Sequence, residues 1–215
     1  MATTPDEGVA VPTKRRYRSR LREEQAARTR RVIIDAAREQ FLTRGWTATG
    51  MRDVATAAGV ALETVYAHFS SKSGLLRAVA DIAVVGDDEP VALAQRDEFR
   101  ALGAGRRSAR IRAAARLLTE VHLRTIGVAK LLREAAPADD EIAEMLRATR
   151  ERQRADVGAG LHLIVGREPT GEELDVVWTL ASPEVYLLLV EQAGWTPPQY
   201  EDWIATMFER VIPRS

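Results

Sequence analysis

The sequence predicts an all-α protein in two parts, a small amino-terminal three-helix unit followed by a larger helical one. Two observations carry this. Apolar residues recur at three- and four-residue spacing in one segment after another. No run alternates apolar and polar residues over the length of a strand.

Each element has its own justification. Ile33, Ala37 and Phe41 repeat every four residues, with Ile34 beside them, and the pattern stops at Gly45. A short second helix fits Met51–Ala58, closed by Gly59, and a third fits Leu62–Phe69. A fourth fits Ser71–Val85. The stretch 87–105, with Pro90, Gly103 and Gly105, reads as a connection with one short helix at most. The next helix carries the stripe Ile111, Ala114, Ala115, Leu118, Val121, His122 and Thr125, and runs to about Ala136, where Pro137 stops it. Another runs from Asp139 into the 160s, weakened by Gly158 and Gly160. Thr170–Glu173 and Thr196–Gln199 are capping boxes that open the last two helices, the second with proline at the first helical position. Pro183 should kink the helix that spans 174–190.

Composition narrows the function classes. A chain of 215 residues can bury a substantial core. It has no cysteine, which excludes disulfides and thiolate metal sites and suits a reducing compartment. The longest apolar run is Val185–Val190, far short of the roughly 18 residues of a membrane span, and the first residues lack the apolar core of a signal peptide. A cytoplasmic location with no membrane partner is the expectation. The formal net charge of zero hides an asymmetry: residues 1–80 hold 14 Lys and Arg against 8 Asp and Glu, a net +6, and residues 81–215 carry −6. Nine positive residues fall between Lys14 and Arg31, a block suited either to a polyanion or to a solvated flexible tail.

On a helix, Ala61, Val65 and Phe69 share one side, and Val65 and Phe69 anchor it. The other side carries Glu63, Thr64, Tyr66 and Ala67. Two turns of helix are marginal alone, so this one must lean on the second helix across the tight Gly59 turn. That is a helix-turn-helix, whose second helix presents its polar side to the major groove of DNA. Tyr66, Thr64 and His68 can donate to phosphate oxygens, and Lys72 adds a positive charge at the start of the next helix.

The stretch Phe41–Leu76, with its "DVATAAGV" second helix and turn and its "TVYAHFSSK" third helix, resembles the DNA-binding domain of the tetracycline-repressor (TetR) family of bacterial transcriptional regulators. The likeness is close over residues 30–82, and "SPEVYLLLVEQAGWTPPQYEDWI" resembles the end of many members. The resemblance implies DNA-backbone contacts by Thr64, Tyr66, His68 and Lys72, and base reading by Arg52, Leu62, Glu63 and Ala67. Arginine can bond guanine through two donors, glutamate can accept from cytosine, and alanine or leucine can touch a thymine methyl. The sequence departs from the family where Ala61 replaces the usual capping Ser or Thr, and where Gly50 replaces a common Thr. An alanine at a cap costs about 1 kcal/mol.

The second half should cover itself and a twin. Residues 174–190 are apolar nearly all round, so both sides need covering. Helix-turn-helix proteins that read palindromic sites work as two-fold dimers. Trp178, Val185, Leu188, Trp203 and Met207 are the expected homodimer contacts; a monomer core would explain the same stripes. His122, Thr149, Gln153 and Trp178 are candidates for a small-molecule effector site, since a few polar groups in apolar walls make such a pocket, with Asp156 also facing inward. Buried, internally satisfied polar residues leave the same pattern.

Catalysis is not expected. His68, His122 and His162 are scattered, and there is no phosphate loop or zinc-type helix motif, so no cofactor and no metal are implied. The organisation expected is a basic flexible arm over 1–22, a helix-turn-helix DNA-binding domain over 23–70, and a helical effector-binding and dimerisation domain over 71–215. The function expected is a homodimeric repressor released from a palindromic operator on double-stranded DNA by an unidentified small molecule. The rival is an architectural DNA-binding protein with little sequence preference and no need of a hollow domain.

Overall fold

The computed structural model describes residues 14–86 and 91–213, and among the described residues all regular structure is helical. Helix α1 spans Lys14–Ala48, α2 Met51–Ala58, α3 Leu62–His68 and α4 Lys72–Val85. Short turns follow at Leu93–Gln95 and Ala101–Gly103, on either side of α5 at Asp97–Arg100. Then come α6 at Arg107–Ala135, α7 at Asp140–Val165, α8 at Gly171–Leu180, α9 at Pro183–Tyr186 and α10 at Pro197–Val211.

α1 buries Ile33, Ile34, Ala37 and Phe41, the four residues of its sequence stripe. It breaks at Gly45, whose φ of 80° and ψ of 172° suit glycine alone, and one more turn completes it. Its start differs from expectation. The stretch 14–22 is helical rather than a flexible arm, while 1–13 lie outside the described residues. The physical reason is local: Leu21–Arg28 is exposed yet rich in Arg, Glu, Gln and Ala, strong helix formers with no Gly or Pro among them, so the helix runs on without packing.

α2 has the expected bounds. Gly59, in the left-handed conformation at φ 66°, ends it and sends its N–H to the last carbonyls of the helix. α3 buries only Val65 within its own length, and Phe69 follows as a second anchor. These residues belong to one apolar core that continues through Leu75, Leu76 and Val79 of α4 into Val128, Leu131 and Leu132 of α6 and Ile142 and Met145 of α7. A second core unites Phe99, Leu102, Ile111, Leu161, Tyr186, Tyr200, Ile204 and Phe208.

Gly158 and Gly160 do not interrupt α7; they admit neighbours. A Cβ at Gly160 would stand 3.4 Å from Leu102 Cδ1, and one at Gly158 would stand 3.6 Å from Leu174 Cδ1. α8 and α9 correct the expectation of one kinked helix. Pro183 has no N–H, and its ring clashes with the carbonyl four residues back. α8 therefore ends at Leu180, Ser182 accepts from Val185 N at 3.4 Å, and Pro183 begins α9, which continues as a π-helical turn over Leu187–Gln192. Both expected capping boxes are present, Thr170 with Glu173 and Thr196 with Gln199.

Ala61 occupies the N-cap of α3 in an extended conformation with no side-chain acceptor for the helix's first N–H groups. Ala61→Ser is expected to raise the free energy of unfolding by about 0.5–1 kcal/mol. Urea denaturation reads this as a higher midpoint at unchanged slope; an unmoved midpoint shows that the cap does not form.

Candidate nucleic-acid interface and interior cavity

α3 stands on its two apolar anchors and turns the rest outward. Glu63, Tyr66 and Ala67 are exposed, Tyr66 by 50%, and Leu62, Thr64 and His68 are half-buried beside them. Arg52 is exposed on α2. Its neighbour Asp53 pairs with Arg44 at 3.2 Å and accepts the Gly50 N–H at 2.7 Å, which holds that carboxyl below its ordinary value, the Gly50 bond foremost. The junction between α1 and α2 is thereby braced.

Lys72 is held by contacts within the chain. Its ammonium donates to the Trp46 carbonyl and lies 3.9 Å from the centroid of the Trp46 ring. Burial lowers its pKa, against the opposing pull of Asp139 and Asp53. Trp46 in turn donates its indole N–H to Asp139 at 2.9 Å. Asp139 also caps α7, accepting from Glu141 N at 3.1 Å and Ile142 N at 3.2 Å, and these contacts, the Trp46 bond first, hold its carboxyl low. Next to it, Ser73 Oγ donates to Glu141 at 2.5 Å. Lys72 thus belongs to a polar joint between the end of α1, the start of α4 and the start of α7. Sequence reasoning missed this joint, whose central bond links residues 93 apart; the lone tryptophan behind the Gly45 break was its only signal.

The second candidate site is a cavity of about 880 Å³ walled by α4, α6, α7 and α8, mostly by residues such as Val84, Leu118, Leu161 and Val177. His122, Thr149, Gln153 and Asp156 all line it. Trp178 does not. On α8 it is Val177 and Ala181 that face the space, and Trp178 lies about 100° round the helix from Val177, with the Arg154 guanidinium 5.8 Å from its ring centroid. Gln153 donates to the Ala181 carbonyl at 2.9 Å. His122 is 2% exposed, and neither of its ring nitrogens nor the Thr149 hydroxyl has a hydrogen-bond partner among the described residues. Its ring packs 4.9 Å from that of Tyr186 and 5.8 Å from that of Tyr200. Burial depresses the imidazole pKa to about 4, with the Ala181 carbonyl and Glu184 opposing. Burial likewise raises the pKa of Asp156, against Arg152.

Of the expected dimer contacts, Leu188 is 55% exposed, while Val185, Trp203 and Met207 are half-buried against the second core. Among the described residues no cluster of metal-ligating side chains occurs, and no helix is long and apolar enough to cross a membrane.

Comparison with known proteins defines the class. Residues 33–79 match the family described as bacterial regulatory proteins, tetR family. Over 58 residues the chain is 41% identical to the HTH-type transcriptional regulator AlkX of Mycobacterium tuberculosis, a match covering 27% of this chain and 28% of that regulator. The whole fold recurs in a TetR-family regulator from a Rhodococcus species, at 16% identity and a TM-score of 0.66 over 87% of this chain and 100% of the other. It recurs also in LfrR from Mycobacterium smegmatis, solved in complex with proflavine, at 24% identity and a TM-score of 0.50 over 88% and 98% of the two chains. Over these matched residues the chain is similar to helix-turn-helix transcriptional regulators. The matched segment, from within α1 into α4, is similar to the tetR-family DNA-binding domain.

The buried imidazole has a consequence for stability. The unfolded chain takes up a proton at His122 near pH 6.5, whereas the folded protein does so only near pH 4. A depressed pKa of this kind means that stability falls as pH drops through 6.5 and levels off below about 4, by on the order of 3 kcal/mol in all. Urea unfolding across pH 7 to 5 is expected to show this slope, and His122→Gln to remove about one proton's worth of it. An unchanged slope in the variant shows that His122 is not the group responsible.

Proposed function

We propose that the protein is a homodimeric, sequence-specific transcriptional repressor that leaves a palindromic operator when a small molecule occupies the interior cavity. The observation that carries the DNA-reading part is the outward row Glu63, Tyr66 and Ala67 over the buried anchors Val65 and Phe69, within the residues that match the tetR family. Thr64, Tyr66 and His68 are suited to backbone contacts, which position a protein on DNA without reading sequence. Arg52, Leu62, Glu63 and Ala67 are suited to base edges. Lys72 keeps two of its three N–H donors after the Trp46 carbonyl takes one, enough for a phosphate. The cytoplasm is the location that such a function implies.

The hollow second part favours a ligand-responsive regulator over an architectural DNA-binding protein, which has no use for a cavity of this size. Proflavine in the LfrR structure supports the same reading. By linkage, the effector must bind better to the arrangement that binds DNA poorly, and DNA must weaken effector binding by the same factor. Leu188 is the best-placed dimer contact, since over half of it is exposed.

Selection from random duplexes is expected to return one palindrome. Arg52→Ala should then relax discrimination at one position by about 1–3 kcal/mol, and Tyr66→Phe should weaken all duplexes alike. A pool with no consensus overturns the reading in favour of the architectural alternative. Leu188→Glu places a charge in the apolar seam and is expected to sediment as a monomer with weakened operator binding. Trp203→Glu is a poorer probe, because the Trp203 ring packs 6.1 Å from both Trp195 and Tyr200. A wild-type monomer at micromolar concentration contradicts the dimer.

A further inference from the structure

We infer that the cavity takes a neutral, largely apolar molecule bearing a hydroxyl group, which His122 and Thr149 recognise, rather than an organic acid or amine. This rests on the reading of the cavity as a ligand site. The volume of about 880 Å³ lies in the upper part of the range for ligand pockets, about 300–1,000 Å³. Its walls are mainly aliphatic, so most of the ligand is apolar as well.

The polar groups decide the rest. Among the described residues, the polar atoms facing this space without a well-formed hydrogen bond are both nitrogens of His122 and the hydroxyl of Thr149; the Ala181 carbonyl that acts on the imidazole is already taken by Gln153. A buried polar group without a partner is destabilising, so a ligand that supplies one recovers what the empty protein lacks. A neutral imidazole offers one donor and one acceptor, and a threonine hydroxyl can do both. The matching function is a group that also donates and accepts through one atom, which a hydroxyl does.

Charge disfavours the ionic classes. An acid needs a cation, but Arg152 is paired with Asp81 at 3.5 Å, and the Arg30 guanidinium lies 5.3 Å from the Phe69 ring centroid. His122 supplies no charge, since burial keeps it neutral at physiological pH. An amine would have to use Asp156, but burial disfavours the ionised form of that carboxyl, and Arg152 lies one helical turn away on α7.

Four probes on one skeleton test this: 1-butylpyrene, 1-pyrenebutanol, 1-pyrenebutyrate and 1-pyrenebutylamine, titrated into the full-length protein with pyrene emission as the readout. The alcohol is expected to bind tightest, by up to about tenfold over the hydrocarbon. His122→Phe keeps the ring and should bring the alcohol's affinity down to that of the hydrocarbon; Thr149→Val serves the same purpose should His122→Phe fail to fold. Tightest binding by the acid or the amine overturns the inference, as does an alcohol advantage that survives both substitutions. Leu118→Trp, which narrows the cavity, should weaken binding of all four. Binding unaffected by Leu118→Trp, or no binding even by the hydrocarbon, instead overturns the cavity as a ligand site.

Discussion

The bond between the Trp46 indole and Asp139 ties the end of α1 to the start of α7, beside the apolar core that the amino-terminal helices share with α6 and α7. The amino-terminal head is small, and its third helix has two apolar anchors and no N-terminal cap, so it has little rigidity of its own. Around that bond gather the Lys72 ammonium over the indole, the Asp139 cap on α7 and the Ser73–Glu141 contact. Asp139 acts twice here, as acceptor for Trp46 and as the N-cap of the helix behind it. Losing it would strand an indole N–H and two helix N–H groups together, which is why one carboxylate has so wide a reach.

The same helix carries the cavity. α7 begins at this joint and, further along, presents Thr149, Gln153 and Asp156 to the interior. In the proposed regulator, α7 is thus one rigid element with the head at one end and the ligand along its length. Coupling between sites needs an element that both ligands bias, and α7 touches both without an intervening loop. The first apolar core has the same extent, running from Ile33 to Met145 without a seam at the expected boundary near residue 70.

Much of this was legible in the sequence where the signal was local. Gly45, Gly59 and the Thr170 and Thr196 capping boxes mark helix ends through the conformation or hydrogen bond of one short segment, and each stands where it was read. The misread features depend on what lies nearby in space. The apolar stripe running through Pro183 predicts a kink, but Ser182 in front of it makes a cap, and a proline after a cap starts a helix. Trp178 shared a stripe with Val177, yet the two face different neighbours once α8 is docked. The Lys72–Trp46 contact was not legible, because the two residues lie 26 positions apart. His122 was legible as an inward residue; that its nitrogens lack partners was not, since satisfaction depends on every neighbour at once.

Hydrogen exchange on the full chain, with and without its selected duplex, tests most directly whether α3 reads DNA and the joint transmits it. The account predicts slowed exchange across Met51–His68 and at the Glu141 and Ile142 amides that Asp139 holds. Protection confined to other parts of the chain would contradict it.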